Sequence, residues 1–199
     1  MQKANDLYDL SMNVASEALE NFRELEKPFE NSGTLTEKVR ILFGIATANR
    51  FRNGKVLRAF LESASNSGIP ECEIDEAIII SALETSGTQL FWLKDVFDRV
   101  LSGNNKKPYY LSGGNDIGNL WVRFQQTVYE EPALIRKDKE LITVPQASFG
   151  RCPHCTKTHI AAARKHGCSA REITESLLLS ATVAARCDLQ WFKDAEKSQ

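Results

Sequence analysis

All three histidines of the 199-residue chain lie between positions 152 and 166, together with two of its five cysteines. The segment reads Cys152-Pro153-His154-Cys155-Thr156-Lys157-Thr158-His159 and runs on to His166. Imidazole and thiol are the side chains suited to proton transfer, redox chemistry and metal ligation near neutral pH. A helix starting at Cys152, with Pro153 in its first turn where the missing N–H costs nothing, puts Cys152, Cys155 and His159 on one face. Two cysteines three apart can close a disulfide with little movement, and the positive end of the helix favours a thiolate. His154 points the other way and needs its own partner; Glu140, twelve residues before Cys152, is the candidate carboxylate to fix its tautomer. His166 sits about two turns, roughly 10 Å, beyond His159 and reads as a residue at the helix C-terminus.

These residues need a scaffold, and the sequence displays it twice. Gly68-Ile69-Pro70-Glu71-Cys72-Glu73-Ile74 lies over Gly167-Cys168-Ser169-Ala170-Arg171-Glu172-Ile173 at an offset of 99 residues, and Trp92, Lys94 and Asp95 lie over Trp191, Lys193 and Asp194. One helical unit therefore reads as present in two copies, roughly residues 35–95 and 134–194, within a single domain spanning 1–199. Ser169 and Glu172 fit a capping box, and Ile173, Leu177, Ala181 and Ala184 keep a helical apolar period behind it. Ile78-Ile79-Ile80 and Leu177-Leu178-Leu179 are expected on helices buried on most sides. Trp92 and Trp191 are expected in the core, Cys72, Cys168 and Cys187 as small buried residues, and Lys137, Asp138 and Lys139 on a solvated face. Residues 1–22, with Leu7, Leu10, Val14, Ala18 and Phe22 at helical spacing, form an amphipathic helix. Residues 102–119 form a connecting loop, with Tyr109 and Tyr110 packing within it. The fold class is all-α.

Where the reactive segment sits, the copies differ. Cys152, His154, Cys155 and His159 lie over Asn53, Lys55, Val56 and Phe60, so the first copy is expected to keep the scaffold and to lack every reactive group, a chemically empty half.

The composition narrows the function. A net charge of −1 without a basic stripe disfavours nucleic-acid binding. No apolar run reaches the roughly 20 residues that span a bilayer, and without a basic flank and apolar block at the N-terminus a cleaved secretory signal is not expected. Five cysteines do not make a secreted disulfide framework, so a cytoplasmic location is expected.

Glu140, Cys152, His154, Cys155 and His159 reproduce a Glu, then Cys-x-His-Cys-x-x-x-His twelve residues later, and the similarity continues through Gly167 and Glu172-Ile173. This pattern resembles alkylhydroperoxidase D, within the carboxymuconolactone decarboxylase superfamily. The resemblance implies an all-helical fold that assembles into trimers or hexamers. It also implies peroxidase or disulfide reductase activity through the Cys152–Cys155 pair, with no cofactor. By that analogy Cys155 meets the peroxide, Cys152 resolves the sulfenic acid, and His159, His154 and Glu140 relay protons. The implied partners are a hydroperoxide or disulfide substrate, a dihydrolipoyl or thioredoxin-like reductant, and a peroxiredoxin. Pro145 departs from the pattern: it deletes a hydrogen bond to the Leu141 carbonyl and should kink the helix that carries Glu140. Two other readings stay open. One is a zinc-bearing interaction module, for which Cys152, Cys155 and His159 supply three ligands and lack a clear fourth. The other is a lactone decarboxylase with incidental cysteines.

Overall fold

The computed structural model describes residues 16–31, 33–100 and 117–196. Among the described residues every regular element is a helix: α1 Ser16–Asn31, α2 Glu37–Arg50, α3 Gly54–Asn66, α4 Glu71–Val100, α5 Ile117–Glu130, α6 Arg136–Phe149, α7 Pro153–Lys165 and α8 Ala170–Glu196. Leu7, Leu10 and Val14 of the expected N-terminal helix lie outside the described residues, as do Tyr109 and Tyr110. The connecting loop ends sooner than its composition predicts, because Gly118 and Asn119 already belong to α5. No helix among the described residues is long and apolar enough to cross a membrane.

The 99-residue offset of the sequence reappears in the helix bounds. α2 and α3 begin and end 99 residues before α6 and α7, and α4 begins 99 residues before α8. The turns correspond as well. α3 and α7 both end in Gly at positive φ, Gly68 at 66° and Gly167 at 85°. The next amide reaches back over the turn, Ile69 to the Ala64 carbonyl at 3.0 Å and Cys168 to that of Ala163 at 2.9 Å. This is the Schellman closure, and the left-handed residue it needs is strained for anything carrying a Cβ. Ser169 and Glu172 form the expected capping box: the Ser169 amide donates to Glu172 Oε2 at 2.7 Å, and the Glu172 amide to Ser169 Oγ at 3.1 Å.

α2 and α6 occupy the centre. Residues 41–48 of α2 and 138–147 of α6 are all buried, far more than one amphipathic face. The two helices meet where Gln146 Nε2 donates to Thr47 Oγ1 at 3.1 Å. α4 and α8 pack on both, while α3 lies on α2 and α7 on α6. Leu42, Phe43, Ile80, Leu83, Leu141 and Ile142 form the middle of the core, each contributing roughly 1.5–3 kcal/mol by leaving water. Buried carboxylates hold the chain ahead of each central helix. Glu76 accepts from the Ala133 and Leu134 amides at 2.8 and 2.9 Å, and Glu175 from those of Thr34 and Leu35 at 2.6 and 3.3 Å.

Several expectations fail at the surface. Trp92 and Trp191 are 59% and 70% exposed, not core residues. Ile79 and Leu178 also face outward, so neither apolar triplet is buried throughout. Cys72 is exposed, whereas Cys168 and Cys187 are buried. The charged run is no solvated face either: Lys137 stays partly exposed, but Asp138 and Lys139 are buried. Lys139 Nζ donates to the Val128 and Glu131 carbonyls at 2.8 and 2.6 Å and pairs with Glu76 at 3.2 Å. A cation there satisfies the carbonyl end of α5, which is why it can leave water.

Candidate active site

α7 begins as the sequence predicts. Cys152 is its N-cap, Pro153 opens the first turn, and Cys152 Sγ accepts the Cys155 amide at 3.3 Å. In the first unit Asn53 holds the same position, with Oδ1 accepting from the Val56 amide at 3.0 Å. Asn is the ordinary residue for that task; a sulfur there keeps the cap and adds chemistry. All the cysteines are free thiols. Cys152 is partly exposed, while Cys155, one turn further in, is 5% exposed. Burial, then the hydrogen bond and electrostatic interaction with Cys152 and the charge of Glu84, push the Cys155 thiol up to about 12.

His159 lies buried on the same side of α7. Its Nδ1 is 3.3 Å from Glu140 Oε2, and its Nε2 is 3.3 Å from Glu84 Oε1. Burial opposes charge on the ring, but the hydrogen bonds and charges of Glu140 and Glu84 prevail and raise it to about 9. Each ring nitrogen thus faces one carboxylate oxygen, an arrangement that favours the protonated ring. Glu140, fully buried, also accepts from Arg136 Nε and Nη2 at 2.9 and 2.7 Å. The Arg136 guanidinium covers the Tyr129 ring at 3.7 Å. The Tyr129 hydroxyl lies 3.0 Å from Thr143 Oγ1 and 3.3 Å from His159 Nδ1. Thr143 spends its own proton on the Lys139 carbonyl at 2.8 Å, so Tyr129 donates to it. Burial and the charges of Glu140 and Glu84 hold the phenol well above its ordinary range, which keeps it protonated.

The structure thus brings Glu140 and His159 together and sets Cys152 and Cys155 on the same helix. It does not bring Glu140 to His154. That ring is exposed and stands 5.3 Å, centroid to centroid, from Phe91. The expected His154–Glu140 pair is therefore corrected: α6 packs on the inner face of α7, and His154 points off the outer one. Pro145 does not displace the carboxylate, since α6 runs through it from Arg136 to Phe149 and Glu140 meets His159. His166 is the C-cap of α7, as expected. No group of three or more His, Cys, Asp or Glu side chains among the described residues is arranged to hold a metal ion.

The first unit is not chemically empty. Glu84 comes from α4, within residues 35–95, and it is 3% exposed. It is the one charged residue between Glu76 and Lys94, and it stands 99 residues before Val183. A single carboxylate in that otherwise uncharged stretch, matched by valine in the other copy, is the signal for it. Tyr129 and Thr143 carried no such signal. In the first unit Phe60 takes the place of His159 and Gly44 that of Thr143. A Cβ on Gly44 would lie 2.4 Å from Phe60 Cε1, so the phenyl ring occupies the space that the polar pair uses in the second unit.

The described residues thus make an all-helical fold with free Cys152 and Cys155 at a helix start and His159 buried between Glu84 and Glu140. Residues 115–191 match the model of the Carboxymuconolactone decarboxylase family. A protein of Paracoccus denitrificans known as uncharacterized protein 4 in the cox locus is 29% identical over 72 residues, 36% of this chain and 65% of its own length. A crystal structure from Burkholderia xenovorans LB400, described as that of a gamma-carboxymuconolactone decarboxylase subunit, superposes with a TM-score of 0.70 at 16% identity. That superposition covers 98% of this chain and 92% of the relative, and it establishes the fold.

Proposed function

We propose that the protein is a thiol-dependent peroxidase or disulfide reductase working through the Cys152–Cys155 pair. The observation that carries this reading is the sulfur at the N-cap of α7, with a second thiol one turn inward on the face that also holds the Glu140–His159 pair. Cys152 is the attacking sulfur. It is partly exposed at the helix end that favours negative charge, whereas Cys155 is buried and held as a thiol. This exchanges the roles that the resemblance to alkylhydroperoxidase D implies.

The Cys152 thiolate attacks a peroxide oxygen; the S–O bond forms, the O–O bond breaks, and the leaving alkoxide takes a proton to become an alcohol. The Cys155 thiol then attacks the sulfenic acid, forming the disulfide and releasing water. An external dithiol, dihydrolipoyl or thioredoxin-like, returns two electrons and restores the pair. Glu140, held by Arg136, orients the imidazole. A peroxiredoxin partner, a reducing cytoplasmic setting and assembly of copies over the exposed Trp92 and Trp191 belong to the same reading.

The test is turnover of an organic hydroperoxide with dihydrolipoamide or dithiothreitol. Wild type should turn over, and Cys152→Ser and Cys155→Ser should both stop. Full activity in either variant overturns the proposal. The likeness to a decarboxylase subunit supports a second reading, a carboxylated-lactone decarboxylase. Lactone turnover that survives both serine substitutions would favour it.

A further inference from the structure

We propose that Glu84, supplied by the first unit, is a positioning residue that clamps His159 Nε2 against Glu140 on Nδ1, holding the ring fixed and cationic on the helix that carries the dithiol. The inference rests on the dithiol reading for its catalytic consequence, but not for its structural one.

The geometry comes first. A histidine serving as base needs one ring nitrogen with an open lone pair toward the group it deprotonates. Here each nitrogen has a carboxylate oxygen at 3.3 Å, one from α6 and one from α4. Both carboxylates and the ring are buried. A cationic ring between the two carboxylates pairs both of them and lets the three groups leave water together. Charged neighbours on the other packed elements fit this pattern. Arg136 of α6 neutralises Glu140. Arg50 of α2 acts electrostatically on Glu84, and its Nη1 donates to Thr85 Oγ1 at 3.2 Å. Tyr129 of α5 adds a neutral phenol, and on α7 itself the flanking titratable groups are Cys152 and Cys155.

With both N–H groups held by carboxylates, the ring acts through its positive charge, which favours the Cys152 thiolate. The proton that neutralises the alkoxide comes from solvent. When the external dithiol reduces the disulfide, one of its two protons stays on Cys155 and the other returns to solvent, leaving Cys152 as the thiolate. Glu84 touches none of the reacting atoms; it fixes the ring and its charge. The second unit offers valine at the corresponding position, so the clamp exists only because the two units meet at this site.

Glu84→Gln and Glu84→Asp, compared with wild type, test the idea by two readouts. The first is the His159 ring titration by NMR, assigned by its loss in His159→Gln. The second is the pH profile of kcat/KM for hydroperoxide. In wild type the ring should stay charged to about pH 9, and the alkaline limb should fall there. Glu84→Gln should lower both by about one to three pH units, the effect of one adjacent charge, and Glu84→Asp should restore part of the difference. A wild-type ring titrating near 6.5, or a Glu84→Gln variant with unmoved titration, overturns the inference. The wild-type titration decides even if Glu84→Gln does not fold. Absence of hydroperoxide turnover with the titration as expected would sink the dithiol reading and leave the clamp standing.

Discussion

Replacing His159 by glutamine should destabilise the protein in a pH-dependent way whose size follows from the ring's environment. The imidazole is raised from 6.5 to about 9 by the two carboxylates that bracket it. The full displacement corresponds to roughly 3 kcal/mol of folding free energy. Because the folded value lies above the unfolded one, this stabilisation is complete below pH 6.5 and is lost as pH rises through about 9. The ring is 7% exposed, so bulk solvent screens little of it. Urea unfolding of wild type and His159→Gln should therefore differ by about 3 kcal/mol at pH 6 and by well under about 1 kcal/mol at pH 9. The narrowing is the diagnostic part, since an ordinary packing loss is blind to pH. A gap of the same size at both pH values would refute the reasoning, and so would a gap that widens on the alkaline side.

Two further substitutions probe the scaffold. Lys139→Met leaves Glu76 and the Val128 and Glu131 carbonyls without their buried cation; urea unfolding should show a loss of about 3–5 kcal/mol. Gly150→Ala places a Cβ 2.3 Å from Thr88 Cγ2 at the turn that delivers Cys152. It should cost about 1–3 kcal/mol by overpacking and slow disulfide closure, read as the rate of thiol loss under oxidant.

Features set by neighbours in the chain were legible in the sequence. The Ser169–Glu172 box, the glycine closures at Gly68 and Gly167, and the placement of Pro153 in the first turn each depend on three or four consecutive residues. Helical spacing likewise put Cys152, Cys155 and His159 on one side of α7. Partners across helices were harder. Glu140 was assigned to His154 because spacing alone does not say which face of α7 meets α6. Lys139 read as solvated because a charged run gives no hint of the α5 carbonyls waiting above it. Trp92 and Trp191 read as core because bulk and recurrence are shared by buried aromatics and by aromatics on an outer face. Glu84 had a readable mark, one carboxylate in the uncharged stretch between Glu76 and Lys94 and opposite valine, but its role needs the contact from α4 across to His159 to be seen.

The central claim is that Cys152 and Cys155 form a working dithiol, and peptide mapping after stoichiometric oxidation tests it most directly. Reduced protein treated with one equivalent of an organic hydroperoxide should lose two thiols per chain and yield a peptide with Cys152 bonded to Cys155. Cys72, Cys168 and Cys187 should stay reduced, and dihydrolipoamide should restore both thiols. Cys155→Ser should instead stop at a sulfenic acid on Cys152. Thiols untouched by the peroxide, or a disulfide joining any other pair, would contradict the claim.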